Sequence, residues 1–342
     1  MGEFDLIERY FKAPARAMQQ RDATNGAIQL VQLGIGDDCA LLQPAPGMQL
    51  AISSDMLVEG RHFLTTIDPY KLGHKALAVN LSDLAACGAK PLAFTLALAM
   101  PKADASWLEP FSRGLLALAA EHNCHLIGGD TTQGPLNICI TVFGEVPKQQ
   151  ALLRSGAKAG DDIYVSGTVG DARLALEVFR GTLEVSAQAF ATARQRMETP
   201  TPRVALGMAL RGIASSAIDV SDGLLGDVSH ILRQSNVGAV IDISTYRHLY
   251  AINLIAFEAT NTLSISQFTP QKQLEYILAG GDDYELVFTA PLAMREAVQA
   301  ASIASETKVT RIGSISAELG LRLVDANGQS VANDFGSFDH FK

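Results

Sequence analysis

The segment PYKLGHKALAVNLSDLAACGAKP at residues 69–91 decides the fold of the first half of the chain. Asp68 can cap a helix that starts there, Pro69 suits the first helical position, and Gly88 can end the helix. The pattern therefore predicts a helix over residues 69–87. Strand-like segments precede and follow this helix, which indicates a domain of mixed helices and strands.

A carboxylate lies in the middle of this predicted helix. Leu77, Leu81 and Leu84 mark one helical face, whereas Asn80 and Asp83 lie three residues apart on another. The pattern predicts that Asp83 points from the helix toward the end of a neighbouring strand. A cap or turn does not account for an Asp at this place, so the position favours a functional role.

Working outward from this helix, the sequence predicts two domains of α/β (α+β) class. The first is expected over residues 1–147, because apolar residues alternate from Leu136 to Val142 and Pro147 closes that strand. The pattern restarts at Leu152, and a second domain is expected over residues 148–342. The sequence gives no clear prediction of secondary structure for residues 181–200 and 244–272. The other predicted elements are strands at 50–54, 92–99, 163–167, 217–220 and 238–243, and helices at 105–122, 172–179 and 202–214.

Composition excludes several classes of protein. The 342 residues carry a formal net charge of −9, which argues against non-specific nucleic-acid binding. The longest apolar stretch, residues 92–100, is about half of the roughly 20 residues that a membrane helix needs. The N-terminus lacks the apolar region of a signal peptide, so a cytoplasmic location is expected. The four cysteines are scattered, without the spacing of a zinc site or a disulfide framework, and are expected to be free and mostly buried.

Six short segments place Asp next to glycine or small hydroxyl residues. Clustered carboxylates repel one another unless a cation lies between them, and Mg²⁺ prefers such hard oxygen ligands together with water and substrate phosphate. Adjacent glycines let main-chain N–H groups approach phosphate oxygens. Any one segment alone is more typical of a turn, but six together favour a phosphate site with several metal ions. The segments are GIGDDCALL (34–42), ISSDMLVEGRHF (52–63), NLSDLAACGA (80–89), IGGDTT (127–132), IDVSDGL (218–224) and GGDDYEL (280–286).

The motifs of the common nucleotide-binding proteins are absent from the sequence. There is no G-x-x-x-x-G-K-[ST], so the chain is not a P-loop kinase, and the protein-kinase motifs are also missing. GIGDDC has Cys39 where a dinucleotide fingerprint needs its third glycine. The seven histidines show no zinc-ligand spacing.

Taken together and in this order, the motifs closely resemble those of the thiamine-monophosphate kinase family. This family belongs to the aminoimidazole ribonucleotide synthetase-like superfamily, and the resemblance covers nearly the whole chain. It implies a two-domain fold with an N-terminal α/β domain that dimerises and binds ATP and Mg²⁺, and a C-terminal α/β domain that completes the nucleotide and substrate site. It further implies a homodimer, ATP as co-substrate, several Mg²⁺ ions, and phosphorylation of thiamine monophosphate to thiamine diphosphate.

The resemblance also implies roles for individual residues. The family often has Thr at the position of Ser54, Glu at that of Asp282, and Tyr or Trp at that of Phe338. Gly129, Asp130, Arg154 and Ser221 would bind ATP, and His62, Asp282 and Phe338 would bind the substrate. Asp38, Asp55, Asp83, Asp130 and Asp222 would be the catalytic residues. The implied metal ligands are Asp38, Ser53, Ser54, Asp55, Asp83, Asp130, Asp219 and Asp222.

Two other interpretations stay open. A different ATP-dependent activation on the same fold, such as selenophosphate synthesis, would use a reactive Cys with a nearby Lys in the N-terminal glycine-rich stretch, and that pair is missing. A magnesium-nucleotide sensor without turnover is not excluded by sequence.

Overall fold

The computed structural model describes residues 3–24, 30–250 and 268–336. The chain divides into two compact units. Unit 1 comprises Met1–Leu84 and Ala89–Ala151, and unit 2 comprises Ala85–Gly88 and Leu152–Lys342.

The predicted helix at the centre of unit 1 is confirmed. It spans Pro69–Ala86 and is named α3 here. It follows three consecutive N-terminal helical segments and a two-stranded ladder. These are α1 (Glu3–Ile7), a π-helix (Glu8–Lys12), α2 (Ala13–Thr24), β1 (Val31–Leu33) and β2 (Leu41–Leu42).

A four-stranded sheet forms the body of unit 1, in the order β3-β6-β4-β5. Its strands are β3 (Met48–Val58), β4 (Lys90–Met100), β5 (His125–Gln133) and β6 (Asn137–Pro147). Strand β6 pairs antiparallel with β3 and β4, whereas β4 and β5 are parallel. The predicted alternation in β6 is confirmed, because Ile138, Ile140 and Val142 are all buried.

Helix α4 (Ala105–Glu121) crosses α3 at two glycines. A Cβ atom on Gly73 would lie 2.0 Å from the carbonyl oxygen of Phe111, and one on Gly114 would lie 1.9 Å from that of Tyr70. Only glycine permits this close approach of two helix backbones. The crossing holds α3, and with it Asp83, in a fixed place in unit 1.

Unit 2 is built on a seven-stranded sheet in the order β13-β12-β9-β11-β7-β10-β8. All of its pairings are antiparallel except the one between β12 and β9. Helices cover the sheet around an apolar core that includes Val165, Leu224, Ile231 and Val287. The strands are β7 (Asp162–Ser166), β8 (Ser216–Asp219), β9 (Gly238–Asp242), β10 (Leu286–Ala290), β11 (Val309–Ser316), β12 (Gly320–Val324) and β13 (Ser330–Val331). The helices are α5 (Asp171–Phe179), α6 (Ala187–Glu198), α7 (Val204–Ala209), α8 (Leu224–Ser235), α9 (Pro270–Ala279) and α10 (Arg295–Ala304).

Two expectations about this architecture are wrong. The helix expected over 202–214 is only Val204–Ala209, followed by turns in which Gly212 has a φ of 73° that a continuing α-helix does not allow. The cysteines are free as expected, but only Cys124 is buried and Cys39 is exposed. Residues 181–200, for which no secondary structure was predicted, contain α6. The Ser186 side chain caps this helix by accepting the N–H of Ala189.

Among the described residues, no helix is long and apolar enough to cross a membrane.

Candidate functional site

The first group of candidate residues lies where α3 meets β3. Ser53 and Asp55 are on the strand, and their positions in the period-two alternation put both on the side that faces the helix. The Ser53 hydroxyl donates to the Asp83 carboxylate, and the Asp55 N–H donates to Asn80 Oδ1 at 3.1 Å. The predicted direction of Asp83 toward a neighbouring strand is therefore confirmed. The structure thus brings the Ser53 hydroxyl and the Asp83 carboxylate together, and strand alternation places the Asp55 side chain on the same side of β3.

Ser54 lies on the opposite side of the same strand. Its hydroxyl lies 2.9 Å from Thr141 Oγ1 and donates to the carbonyl oxygen of Ile140 at 3.2 Å. The structure therefore does not bring the Ser54 hydroxyl together with Asp83. Strand geometry is the reason, because successive side chains on a strand point to opposite faces.

Gly129 and Asp130 lie on β5, at the other edge of the sheet. Gly129 has a φ of 148°, and a Cβ there would lie 1.8 Å from the carbonyl oxygen of Leu96, so this position requires glycine. Asp130 is exposed. Three strand spacings separate β5 from β3, which places Gly129 about 14 Å from Asp55 in the same row of the sheet.

The loop GIGDDC carries Asp38 and lies beside two cations of the N-terminal helical segments. A Cβ on Gly36 would lie 3.4 Å from Arg16 Nη2 and 3.5 Å from Lys12 Nζ. Asp38 itself is exposed. Positive charge beside an exposed acidic loop suits a surface that meets both metal ions and phosphates.

His62 lies in the turn that follows β3. Its Nδ1 accepts the N–H of Val58 at 3.0 Å, so Nδ1 carries no proton in this arrangement. The bond fixes the orientation of the imidazole ring relative to the end of the strand.

The second group of candidate residues lies in unit 2, where two loops run side by side. The N–H of Asp282 donates to the carbonyl oxygen of Ser221 at 2.8 Å, and the N–H of Tyr284 donates to that of Val220 at 2.9 Å. The structure thus brings the segments IDVSDGL and GGDDYEL together. Asp282 and Tyr284 both have positive φ, 71° and 52°, which the pairing with the neighbouring loop maintains.

Sequence reasoning missed Asp227, which organises the first of these loops from helix α8. Its Oδ2 accepts the N–H groups of Ser221 at 3.1 Å and of Asp222 at 3.2 Å. Burial, and next the negative charge of Asp222, raise the pKa of Asp227 to about 7, and the charge of Arg154 acts in the opposite direction. Burial, followed by the charges of Arg154 and Arg233, lowers the pKa of His230. Arg154 is therefore close enough to this loop to act on its charges.

Sequence reasoning also missed Glu285, which is fully buried and directly precedes β10. Its carboxylate accepts hydrogen bonds from Ser166, Arg196 and Arg203. No local pattern indicates this network, because its members are separated by more than 80 residues from Glu285 along the chain.

The residues present fit magnesium in their chemistry. Among the described residues, no group of three or more His, Cys, Asp or Glu side chains is arranged to hold a metal. Magnesium does not need such a group, since one or two carboxylates together with water and substrate phosphates are its usual ligands. Asp83 and Ser53 offer hard oxygen atoms at one place, and Asp55 lies on the same side of β3. Phe338, which is predicted to contact the substrate, lies outside the described residues.

Comparisons with known proteins give the class of the chain. Residues 36–146 match the family model "AIR synthase related protein, N-terminal domain", and residues 158–326 match "AIR synthase related protein, C-terminal domain". The chain is thus an AIR synthase-related protein.

Individual relatives narrow this class. A thiamine-monophosphate kinase of Salmonella typhimurium is 45% identical, with 99% of this chain and 98% of the relative covered. The crystal structure of thiamine-monophosphate kinase from Stenotrophomonas maltophilia K279a has a TM-score of 0.80 at 40% identity, over 97% of this chain and 98% of that one. "AaThiL complexed with AMPPCP and TMP" has a TM-score of 0.72 at 28% identity, over 99% of this chain and 97% of that one. The chain belongs to the thiamine-monophosphate kinase family, so the resemblance drawn from the motifs is confirmed.

Proposed function

We propose that this chain is an enzyme that transfers the γ-phosphoryl group of ATP to thiamine monophosphate, giving thiamine diphosphate and ADP. The full-length match to thiamine-monophosphate kinases carries this proposal. A relative whose complex contains AMPPCP and TMP supports both substrates. ATP as the phosphoryl donor favours a cytoplasmic location.

Several Mg²⁺ ions are proposed to be held by the predicted acidic ligands. When bound, they would neutralise the charges of two polyanionic substrates and align the reacting phosphates. The Asp83 carboxylate, oriented by the Ser53 hydroxyl, supports this role in unit 1. The proposed ligands are Asp38, Ser53, Asp55, Asp83, Asp130, Asp219 and Asp222. The Ser54 hydroxyl lies on the opposite side of β3, so the structure does not support the predicted role of Ser54 as a ligand beside Asp83.

The remaining proposed roles concern binding and orientation. The acceptor is a phosphate monoester that is largely dianionic at pH 7, because its second pKa is near 6, so no general base is needed. The protein residues therefore orient the substrates and do not remove protons. Gly129, Asp130, Arg154 and Ser221 are proposed to bind ATP, and His62, Asp282 and Phe338 to bind thiamine monophosphate.

A homodimer is proposed from the open face of the sheet in unit 1. Ile52 and Met56 are 60% and 53% exposed, and Leu50 on the same face of β3 is also exposed. Large exposed apolar side chains grouped on one face are typical of a protein interface. We therefore propose that a second copy of the chain covers this face.

Replacing Ile52 by Glu is expected to convert the dimer into monomers, because the charge would be buried without a partner in the interface. Sedimentation velocity measures the change. Leu319→Glu is the matched control, since Leu319 is 64% exposed in unit 2 and should leave the dimer intact. A wild-type chain that sediments as a monomer at all concentrations would contradict the proposal.

Removing magnesium is expected to abolish transfer. Thiamine diphosphate formation from ATP and thiamine monophosphate should fall to background with excess chelator and return when Mg²⁺ is restored. The measurement is product formed per minute at each free Mg²⁺ concentration. Transfer that continues at full rate in chelator would rule out the proposed role of the acidic groups.

A further inference from the structure

Asp227 lies in the first turn of α8 and reaches back to the loop in front of that helix. The residue is 3% exposed, and its Oδ2 accepts the N–H groups of both Ser221 and Asp222. Gly223 makes this path possible, since its φ of 115° turns the chain sharply between the loop and the helix. Gly223 has no side chain that could cap α8. The Asp227 side chain instead orders the loop that leads into the helix.

The same loop is fixed from its other side. The Ser221 carbonyl oxygen accepts the N–H of Asp282 at 2.8 Å, and a Cβ on Gly281 would lie 2.3 Å from that oxygen. Ser221 is therefore held through its N–H by Asp227 and through its carbonyl by the neighbouring loop. This arrangement leaves little freedom to the main chain that carries the Ser221 and Asp222 side chains.

We propose that Asp227 is a positioning residue, which fixes the Ser221–Asp222 turn so that this turn can bind the magnesium–nucleotide complex. The inference rests on the proposed function, in which Ser221 contacts ATP and Asp222 is a metal ligand. Asp227 acts through hydrogen-bond geometry: its oxygen accepts two main-chain N–H groups. It is not itself a ligand of the metal.

Three substitutions separate geometry from charge. Asp227→Asn keeps an acceptor oxygen at the same distance and removes the charge. Asp227→Glu keeps the charge and moves the acceptor by one methylene group. Asp227→Ala removes both. Affinity for Mg²⁺ with AMPPCP, measured by calorimetry, is the first measurement, and kcat and KM for ATP are the second.

Asp227→Asn is expected to stay within about threefold of the wild-type affinity, whereas Asp227→Ala and Asp227→Glu should bind the nucleotide about 10- to 100-fold more weakly, the usual cost of losing a residue that orients metal ligands. Asp242→Ala is the control, because Asp242 caps the short 3₁₀-helix Ile243–His248 in the same unit by accepting the N–H of Ser244. That variant should lose stability without losing affinity.

Two outcomes would overturn the inference. If Asp227→Asn binds as weakly as Asp227→Ala, the charge is needed and Asp227 is a ligand. If folded Asp227→Ala or Asp227→Glu binds like the wild type, the residue is structural only. If Asp227→Ala fails to fold, the Asp227→Asn and Asp227→Glu variants still show whether hydrogen-bond geometry or charge is required. Failure of the proposed function would be seen separately, as wild-type protein that binds nucleotide but phosphorylates no thiamine monophosphate.

Discussion

Replacing Asp83 by Asn is expected to lower kcat/KM for phosphoryl transfer by about a hundredfold or more, because losing a metal ligand should cost at least as much as losing a residue that merely orients one. Asn has nearly the same shape and can still accept the hydrogen bond from Ser53, so the substitution isolates the charge. The fold should stay intact. Steady-state kinetics at several Mg²⁺ concentrations measures the loss, and part of it should be recovered at high Mg²⁺.

A matched control comes from the same unit. Asp104 caps α4 at the surface by accepting from the N–H and the hydroxyl of Ser106, and Asp104→Asn makes the same chemical change away from the candidate site. Its kinetics should equal those of the wild type. Wild-type turnover in Asp83→Asn would remove Asp83 from the site.

Replacing Glu285 by Gln is expected to lower the free energy of unfolding by about 3–5 kcal/mol, because breaking a buried ion pair leaves the remaining charges uncompensated. Glu285 is 0% exposed and faces both Arg196 and Arg203. The carboxylate of Glu285 is therefore the hydrogen-bonded counter-charge for two guanidinium groups with little access to water. Urea denaturation of the wild type and the variant measures the difference.

A surface ion pair in the same unit gives the comparison. Glu318 pairs with Arg322 at 2.6 Å, but the Glu318 side chain is 78% exposed. Glu318→Gln should change the free energy of unfolding by less than about 1 kcal/mol, since water screens exposed pairs. Equal shifts in the two variants would show that burial of the Glu285 network contributes nothing to stability.

Local patterns in the sequence predicted the elements and part of the site. Helix α3 was predictable because capping, helix-start and helix-stop residues all agree, and the direction of Asp83 follows from helical periodicity. The face of β3 on which the Ser54 side chain lies was also predictable from strand alternation. Its neighbours Ser53 and Asp55 lie on the opposite face of β3. The resemblance to the family assigns one role to the whole motif and therefore does not distinguish the two faces.

The roles of Asp227 and Glu285 could not be predicted in the same way. In the sequence, Asp227 has the pattern of an ordinary acidic residue in the first turn of a helix. Only the fold shows that its side chain accepts the N–H groups of Ser221 and Asp222. Glu285 depends on Arg196, Arg203 and Ser166, which tertiary structure brings together from distant parts of the chain. Periodicity carries no information about contacts at such separations.

The most direct test of the central claim is a comparison of two acceptors. ATP and Mg²⁺ are incubated with thiamine monophosphate or with thiamine, and the phosphorylated products are separated and quantified. The proposed function predicts thiamine diphosphate from thiamine monophosphate and no phosphorylated product from thiamine. Tight magnesium-dependent binding of ATP without product from either acceptor would contradict it and would favour a related ATP-dependent activity or a nucleotide sensor.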